Sequence, residues 1–184
     1  MAENSKEYLI GILKDKYDHE MVRKSDFESS LNIPITLLTA LLAGMYFVTS
    51  DTTIDSTMCS LKTIKLILLT ILFMSCIVTI IFLFIVYFGY RRSYCTFPES
   101  NVVVNVDFKE LEEYNKEHNA DKYEESLLET LRDRVVAWYL NCNNHNTPVN
   151  DRRANALYFA RMFLLISIGI GLILLIFICI IKTF

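Results

Sequence analysis

The chain has 184 residues, 53% of them hydrophobic, with few glycines and prolines and a formal net charge of −3. A soluble chain of this length would form one domain, but a mean hydropathy of +0.33 with the apolar residues gathered into long uncharged runs argues against a soluble globule. Basic residues are not interleaved with aromatics in the way a nucleic-acid surface requires, so no direct nucleic-acid binding is expected.

From about residue 5 to residue 30, Leu9, Ile12, Leu13, Tyr17 and Met21 recur at three- and four-residue steps, which predicts an amphipathic helix. Its other face carries Lys14, Asp15, Asp18, Lys24 and Glu28. The segment is too long and too acidic for the n-region of a signal peptide, and residues 1–31 are read as a retained cytosolic helix. Asn32-Ile33-Pro34 marks a break, because the residue before a proline is pushed out of the helical region.

Residues 33–48 form a short apolar run with a Thr/Ser/Asp-rich exit. No soluble core here is large enough to hide it, so it is read as a short membrane helix. Residues 66–90 and 162–181 are free of charge, and each is long enough to cross roughly 30 Å of hydrocarbon as a helix. Residues 32–90 thus hold two membrane helices with a short outside loop, and residues 156–184 a third.

Between them, residues 91–155 read as a small helical cytosolic segment. Its opening, "SYCTFPESNVVVNVDF", is expected to be extended, with Val102, Val103, Val104 and Val106 as a short β-like run. Asp107 with Glu110, and Asp121 with Glu124, have the spacing of capping boxes. The first would open a helix with Phe108, Leu111 and Tyr114 on one stripe. The second would open a longer helix to about Asn143, burying Tyr123, Leu127, Leu128, Leu131, Val135 and Trp138. Pro148 is expected to end or kink the helical chain around it. A segment of this size buries too little surface to be stable alone, so it must pack on the N-terminal helix, on neighbouring subunits, or on both.

Orientation comes from the basic residues. Lys6, Lys14, Lys16, Arg23 and Lys24 precede the first apolar run, and Lys62 stands alone in the first loop. Arg91 and Arg92 come directly after the second run, and Arg152, Arg153 and Arg161 flank the start of the third. The expected topology has the N-terminus in the cytosol, with Arg91, Arg92 and Arg161 as inner-leaflet anchors and Arg161 snorkelling to the headgroups.

No chemistry-bearing motif emerges. The five cysteines, Cys59, Cys76, Cys95, Cys142 and Cys179, lack CxxC spacing, which argues against a disulfide framework or zinc site. An Arg-x4–6-His nuclease motif would need histidine at 138–140 after Arg132, where Trp138, Tyr139 and Leu140 stand. Phosphate loops, nucleophile elbows and HExxH are missing too. The expectation is a protein without catalytic residues, metal or cofactor. The run "NCNNHNTPVNDRR" leaves two readings open. Asn143, Asn146, Asn150, Arg152 and Arg153 could form a polar collar facing a vestibule in a ring of subunits, or a hydrogen-bonded helix connection. Thr36, Ala40 and Gly44 repeat every four residues, as do Ser167 and Gly171. Small residues at such spacing let membrane helices approach closely, either within one chain or between subunits, or face a pore. The uncharged membrane interior disfavours an ion-coupled transporter.

Two stretches, "LKDKYDHEMVRKSDFESSLNIPITLLTALLAGMYF" and "NDRRANALYFARMFLLISIGI", resemble small bacterial multi-span membrane proteins of anti-phage defence systems. In that group a charged amphipathic helix leads into a first span and an Asn/Arg-rich helix into the last. Within it, the accessory membrane proteins encoded beside type VI (RNA-targeting) CRISPR effectors are similar in length and layout. The resemblance is one of elements and carries over no functional residue; the nuclease-like motif described for some of those proteins is lacking here. It implies a homo-oligomeric pore or disruptor of the bacterial inner membrane that depolarises an infected cell. The alternative is a membrane anchor or sensor that recruits a cytosolic effector through its exposed acidic helices.

Overall fold

The computed structural model describes residues 2–50, 59–88 and 94–183. Among them the fold is all-α, with no strand. In chain order the elements are α1 (Ala2–Ser29), α2 (Asn32–Ser50), α3 (Cys59–Phe88), α4 (Ser100–Val102), a π-helical turn (Val103–Asp107), α5 (Phe108–His118), a 3-10 turn (Ala120–Lys122) and α6 (Tyr123–Thr183). Stretches within Ser5–Ser50, Leu61–Phe88 and Ala120–Ile181 are long and apolar enough to cross a membrane.

The chain turns at residues 30 and 31 and not at Asn32-Ile33-Pro34, all three of which are helical, with Pro34 in the first turn of α2. A proline costs little there, since its missing N–H is one that an α-helix leaves without an internal partner.

Several local expectations are corrected. The valine run is helical rather than β-like: Val102 ends α4, and Val103, Val104 and Val106 lie in the π-helical turn. With no neighbouring strand among the described residues, an extended run would leave its peptide groups unpaired, whereas helical turns satisfy them locally. Neither capping box forms. Asp107 is itself helical, with φ −64° and ψ −45° and no side-chain cap. The break before α6 falls at Asn119, with φ −133° and ψ 37°. Pro148 does not end a helix, for α6 continues through it as one element of 61 residues. A proline inside a helix costs roughly 3 kcal/mol, offset here by hydrogen bonds from Asn143, Asn146, Thr147 and Asn150 on either side of it. On the faces expected to be apolar, Leu13 and Leu111 are buried, but Leu9, Ile12, Tyr114 and Leu128 are exposed.

The chain divides into two compact units. One comprises Met1–Lys24 and Arg92–Asn150, the other Ser25–Arg91 and Asp151–Phe184. The first therefore joins the N-terminal helix to the segment expected to need it.

In the second unit, α2, α3 and the last part of α6 share an apolar core that includes Leu38, Leu72, Cys76, Val86, Ala160 and Leu164. Ala160 is fully buried. Nearby, Phe82 stacks on Phe159 and Phe163, at centroid distances of 5.4 and 6.0 Å. Ser167 donates to Ser75 Oγ at 2.8 Å, and Ser75 donates to the Phe163 carbonyl at 3.1 Å. Small residues and hydroxyls at this contact suit helices that associate by close packing and interhelical hydrogen bonds. The outward faces stay apolar: Leu66, Phe73, Phe84, Leu165, Ile173 and Ile176 are all exposed. Such a surface is compatible with a transmembrane setting and poorly suited to water.

Candidate functional site

Asn143, Asn146 and Asn150 succeed one another at steps of three and four on α6, which places them on one helix face. All three are buried, Asn146 and Asn150 completely. Burying an amide is costly unless its hydrogen-bonding groups find partners, and each partner here is specific. Asn143 Nδ2 donates to the Leu13 carbonyl at 2.9 Å, while its buried Oδ1 has no hydrogen-bond partner among the described residues. Asn146 holds a whole peptide residue: its Oδ1 accepts from the Cys95 N–H and its Nδ2 donates to the Cys95 carbonyl, both at 2.9 Å. The side-chain amide thus pairs with the extended segment as a neighbouring strand would.

Asn150 is the most heavily engaged. Its Oδ1 accepts from the Tyr94 hydroxyl at 2.6 Å. Its Nδ2 donates to the carbonyl and to the carboxylate of Glu20, both at 2.8 Å. Glu20 is only 3% exposed, and its carboxylate also accepts from Arg23 at 3.0 Å and from Thr147 at 3.2 Å. A buried carboxylate is tolerable under these conditions, with a countercharge and several donors on its oxygens.

Around this polar seam, Phe97 packs against Trp138 and Tyr139 at centroid distances of 5.2 and 4.8 Å. Tyr17 meets Tyr139 edge-on at 5.8 Å. At the more exposed end, Lys6 bridges Glu129 and Asp133, and Arg132 reaches Glu7. These outer pairs are worth little individually in water; the buried amides fix the register.

Beside Asn146, the Cys95 and Cys142 sulfurs lie 2.7 Å apart, and both are free thiols. Burial, with a smaller contribution from the hydrogen bond with Cys95, pushes the Cys142 thiol up to about 12, so it is fully protonated at neutral pH.

In the single chain Asn143, Asn146 and Asn150 face α1 and residues 94 and 95, as a hydrogen-bonded helix connection would have them. Arg152 is exposed. Arg153, by contrast, is 3% exposed; its Nε donates to the Val86 carbonyl at 3.0 Å and its guanidinium lies 5.2 Å from the Phe27 ring centroid. Val86 lies in α3, so this bond ties α6 to α3.

The small-residue positions separate into two groups. Ser167 is buried between α6 and α3, and a Cβ on Gly171 would meet Leu41 at 3.5 Å. Thr36, Ala40 and Gly44 are exposed along α2. The Thr36 hydroxyl returns to its own helix at the Asn32 carbonyl, and a Cβ on Gly44 would meet nothing within 4 Å. Ala40, Gly44 and Gly171 border an open apolar groove of about 310 Å³. Arg161 is exposed, while Arg91 and Arg92 lie outside the described residues.

Sequence reasoning missed Glu20, Tyr94, the Cys95–Cys142 pair and the bond from Arg153 to Val86. One signal was available for part of this. From Asn143 through Asn146, Asn150, Arg153, Leu157, Ala160, Leu164, Ser167, Gly171, Leu174 and Ile178, α6 steps by alternating threes and fours. Within each unit that spacing marks an inward seam. Compared with protein-family models, with curated proteins and with solved structures, the chain matches none of them.

Proposed function

We propose that the chain is a subunit of a homo-oligomeric pore in the bacterial inner membrane, opened during phage infection so that the cell depolarises. In this reading the N-terminus is cytosolic, and the unit of Met1–Lys24 and Arg92–Asn150 lies inside. Lys and Arg residues beside the apolar runs support that orientation, and the resemblance to accessory membrane proteins of type VI CRISPR systems supports the role. The observation that carries the proposal is the division of the small residues. Ala160, Ser75 and Ser167 are used up between α3 and α6, whereas Thr36, Ala40 and Gly44 remain exposed on an apolar helix. Close packing at small residues is what lets helices associate in lipid, and a second copy would find that face free. Because residues 66–90 and 162–181 are uncharged, the conduction path is passive and gated by dewetting rather than by an ion relay.

The test is potassium release from liposomes carrying the purified full chain. Release that falls when Gly44→Ile is introduced supports the pore. An assembled, correctly inserted protein that releases nothing contradicts it. The anchor reading has one observation in its favour: Tyr8, Leu9 and Ile12 are exposed on α1, Tyr8 to 73%, and would suit docking of a cytosolic effector. Under that reading, replacing the membrane helices with an unrelated anchor preserves protection from phage; under the pore reading protection is lost.

A further inference from the structure

We propose that Cys95 and Cys142 form a peroxide-responsive thiol pair, closing to a disulfide that fastens the extended segment around Cys95 to α6. The geometry is set by neighbours that neither thiol controls. Asn146 holds the Cys95 backbone by both its N–H and its carbonyl. Tyr94 is bonded to Asn150, and Phe97 is packed against Trp138 and Tyr139. Cys142 lies one helical turn before Asn146 on the same helix. The segment is therefore held on either side of Cys95, and the sulfurs meet at 2.7 Å. A disulfide bond is about 2.04 Å long, so little movement separates the two states.

The thiols differ in access, which assigns their order of reaction. Cys95 is partly exposed, with Asn141 Nδ2 3.9 Å from its sulfur, whereas Cys142 is 2% exposed. The Cys95 thiolate attacks hydrogen peroxide, the O–O bond breaks, and Cys95 becomes a sulfenic acid with loss of hydroxide. Cys142 sulfur then attacks Cys95 sulfur. The S–S bond forms, the S–O bond breaks, and the departing hydroxide takes up the Cys142 proton as water. Two thiols are oxidised and one peroxide is reduced to two waters. A dithiol reductant reverses the step by exchange. A link between residues 95 and 142 also closes a long loop, and cross-links of that kind restrict the unfolded chain most.

The full chain in native membrane vesicles is treated with hydrogen peroxide, alkylated and digested. Peptide mass spectrometry should find the Cys95 and Cys142 peptides joined, with both thiols lost to a maleimide reagent and both recovered after dithiothreitol. A Cys142→Ser variant should instead keep Cys95 as a sulfenic acid that a cyclic diketone probe labels, at least tenfold more than in the unsubstituted chain. Two outcomes overturn the proposal: both thiols still alkylated after peroxide, or Cys95 driven to sulfinic acid in the unsubstituted chain with Cys142 untouched. The first experiment needs no variant, so a folding defect in Cys142→Ser leaves the test intact.

Discussion

The two units of this chain are built on the same helix spacing with opposite chemistry. In the unit of Met1–Lys24 and Arg92–Asn150, the inward positions of α6 are Asn143, Asn146 and Asn150. In the unit of Ser25–Arg91 and Asp151–Phe184, they are Leu157, Ala160, Leu164 and Ser167. The first tolerates buried amides because backbone carbonyls, a carboxylate and a tyrosine hydroxyl are aimed at them. The second relies on shape, with one hydroxyl relay between Ser167 and Ser75. The difference teaches where each unit is sensitive. A polar seam loses specific partners when one amide goes, while an apolar seam in lipid has little hydrophobic drive to lose and answers mainly to fit.

The sharpest way to break the contrast is Asn150→Leu. It removes the acceptor of the Tyr94 hydroxyl bond and one donor to the buried Glu20 carboxylate, and should cost about 3 kcal/mol. Denaturant unfolding in detergent micelles, followed by Trp138 fluorescence within that unit, measures it. Arg153→Met should cost less, about 1 to 2 kcal/mol, because it removes the buried hydrogen bond from α6 to the Val86 carbonyl. Faster amide hydrogen exchange in α3 around Val86 is the expected signature. Ser167→Ala, in the apolar seam, should cost about 0.6 kcal/mol, readable as a small drop in thermal stability. At the bottom of the scale, Gly171→Ala places its Cβ in ordinary contact with Leu41 and should leave thermal stability nearly unchanged.

One pH effect belongs to the polar unit. The hydrogen bond from Lys116, then that from Tyr123, holds the Glu112 carboxyl below its ordinary 4.5. A lowered carboxyl contributes stability above its unfolded value, and that contribution is lost as pH falls through the folded one. Acidification below pH 4.5 should therefore loosen α5 slightly, with a loss of helicity that Glu112→Gln makes insensitive to pH.

Legibility in the sequence divides along the same line. The apolar helices could be read from residues 66–90 and 162–181 because an uncharged run of that length suits a bilayer and little else. The break expected at Asn32-Ile33-Pro34 falls instead at residues 30 and 31, because Pro34 fits the first turn of a helix and does not exclude one. The valines at 102–106 misled, because β-branched residues signal a strand only where a partner strand exists. Pro148 misled for a related reason: local propensity predicts a helix end, while buried amides on both sides hold α6 through it. The roles of Asn143, Asn146 and Asn150 could not be read from composition, since an exposed and a buried amide look alike until the partner is known. Their spacing gave the face, but Leu13, Glu20 and Cys95 lie far away in the chain and supply the chemistry.

The measurement that tests the proposed pore most directly is the mass of the full chain in detergent, with class averages from the same sample. A closed ring of several copies around a central axis, disrupted by Gly44→Ile with the fold of each unit intact, is the predicted result. A monomer of 21.4 kDa in every detergent that keeps the units folded would contradict it.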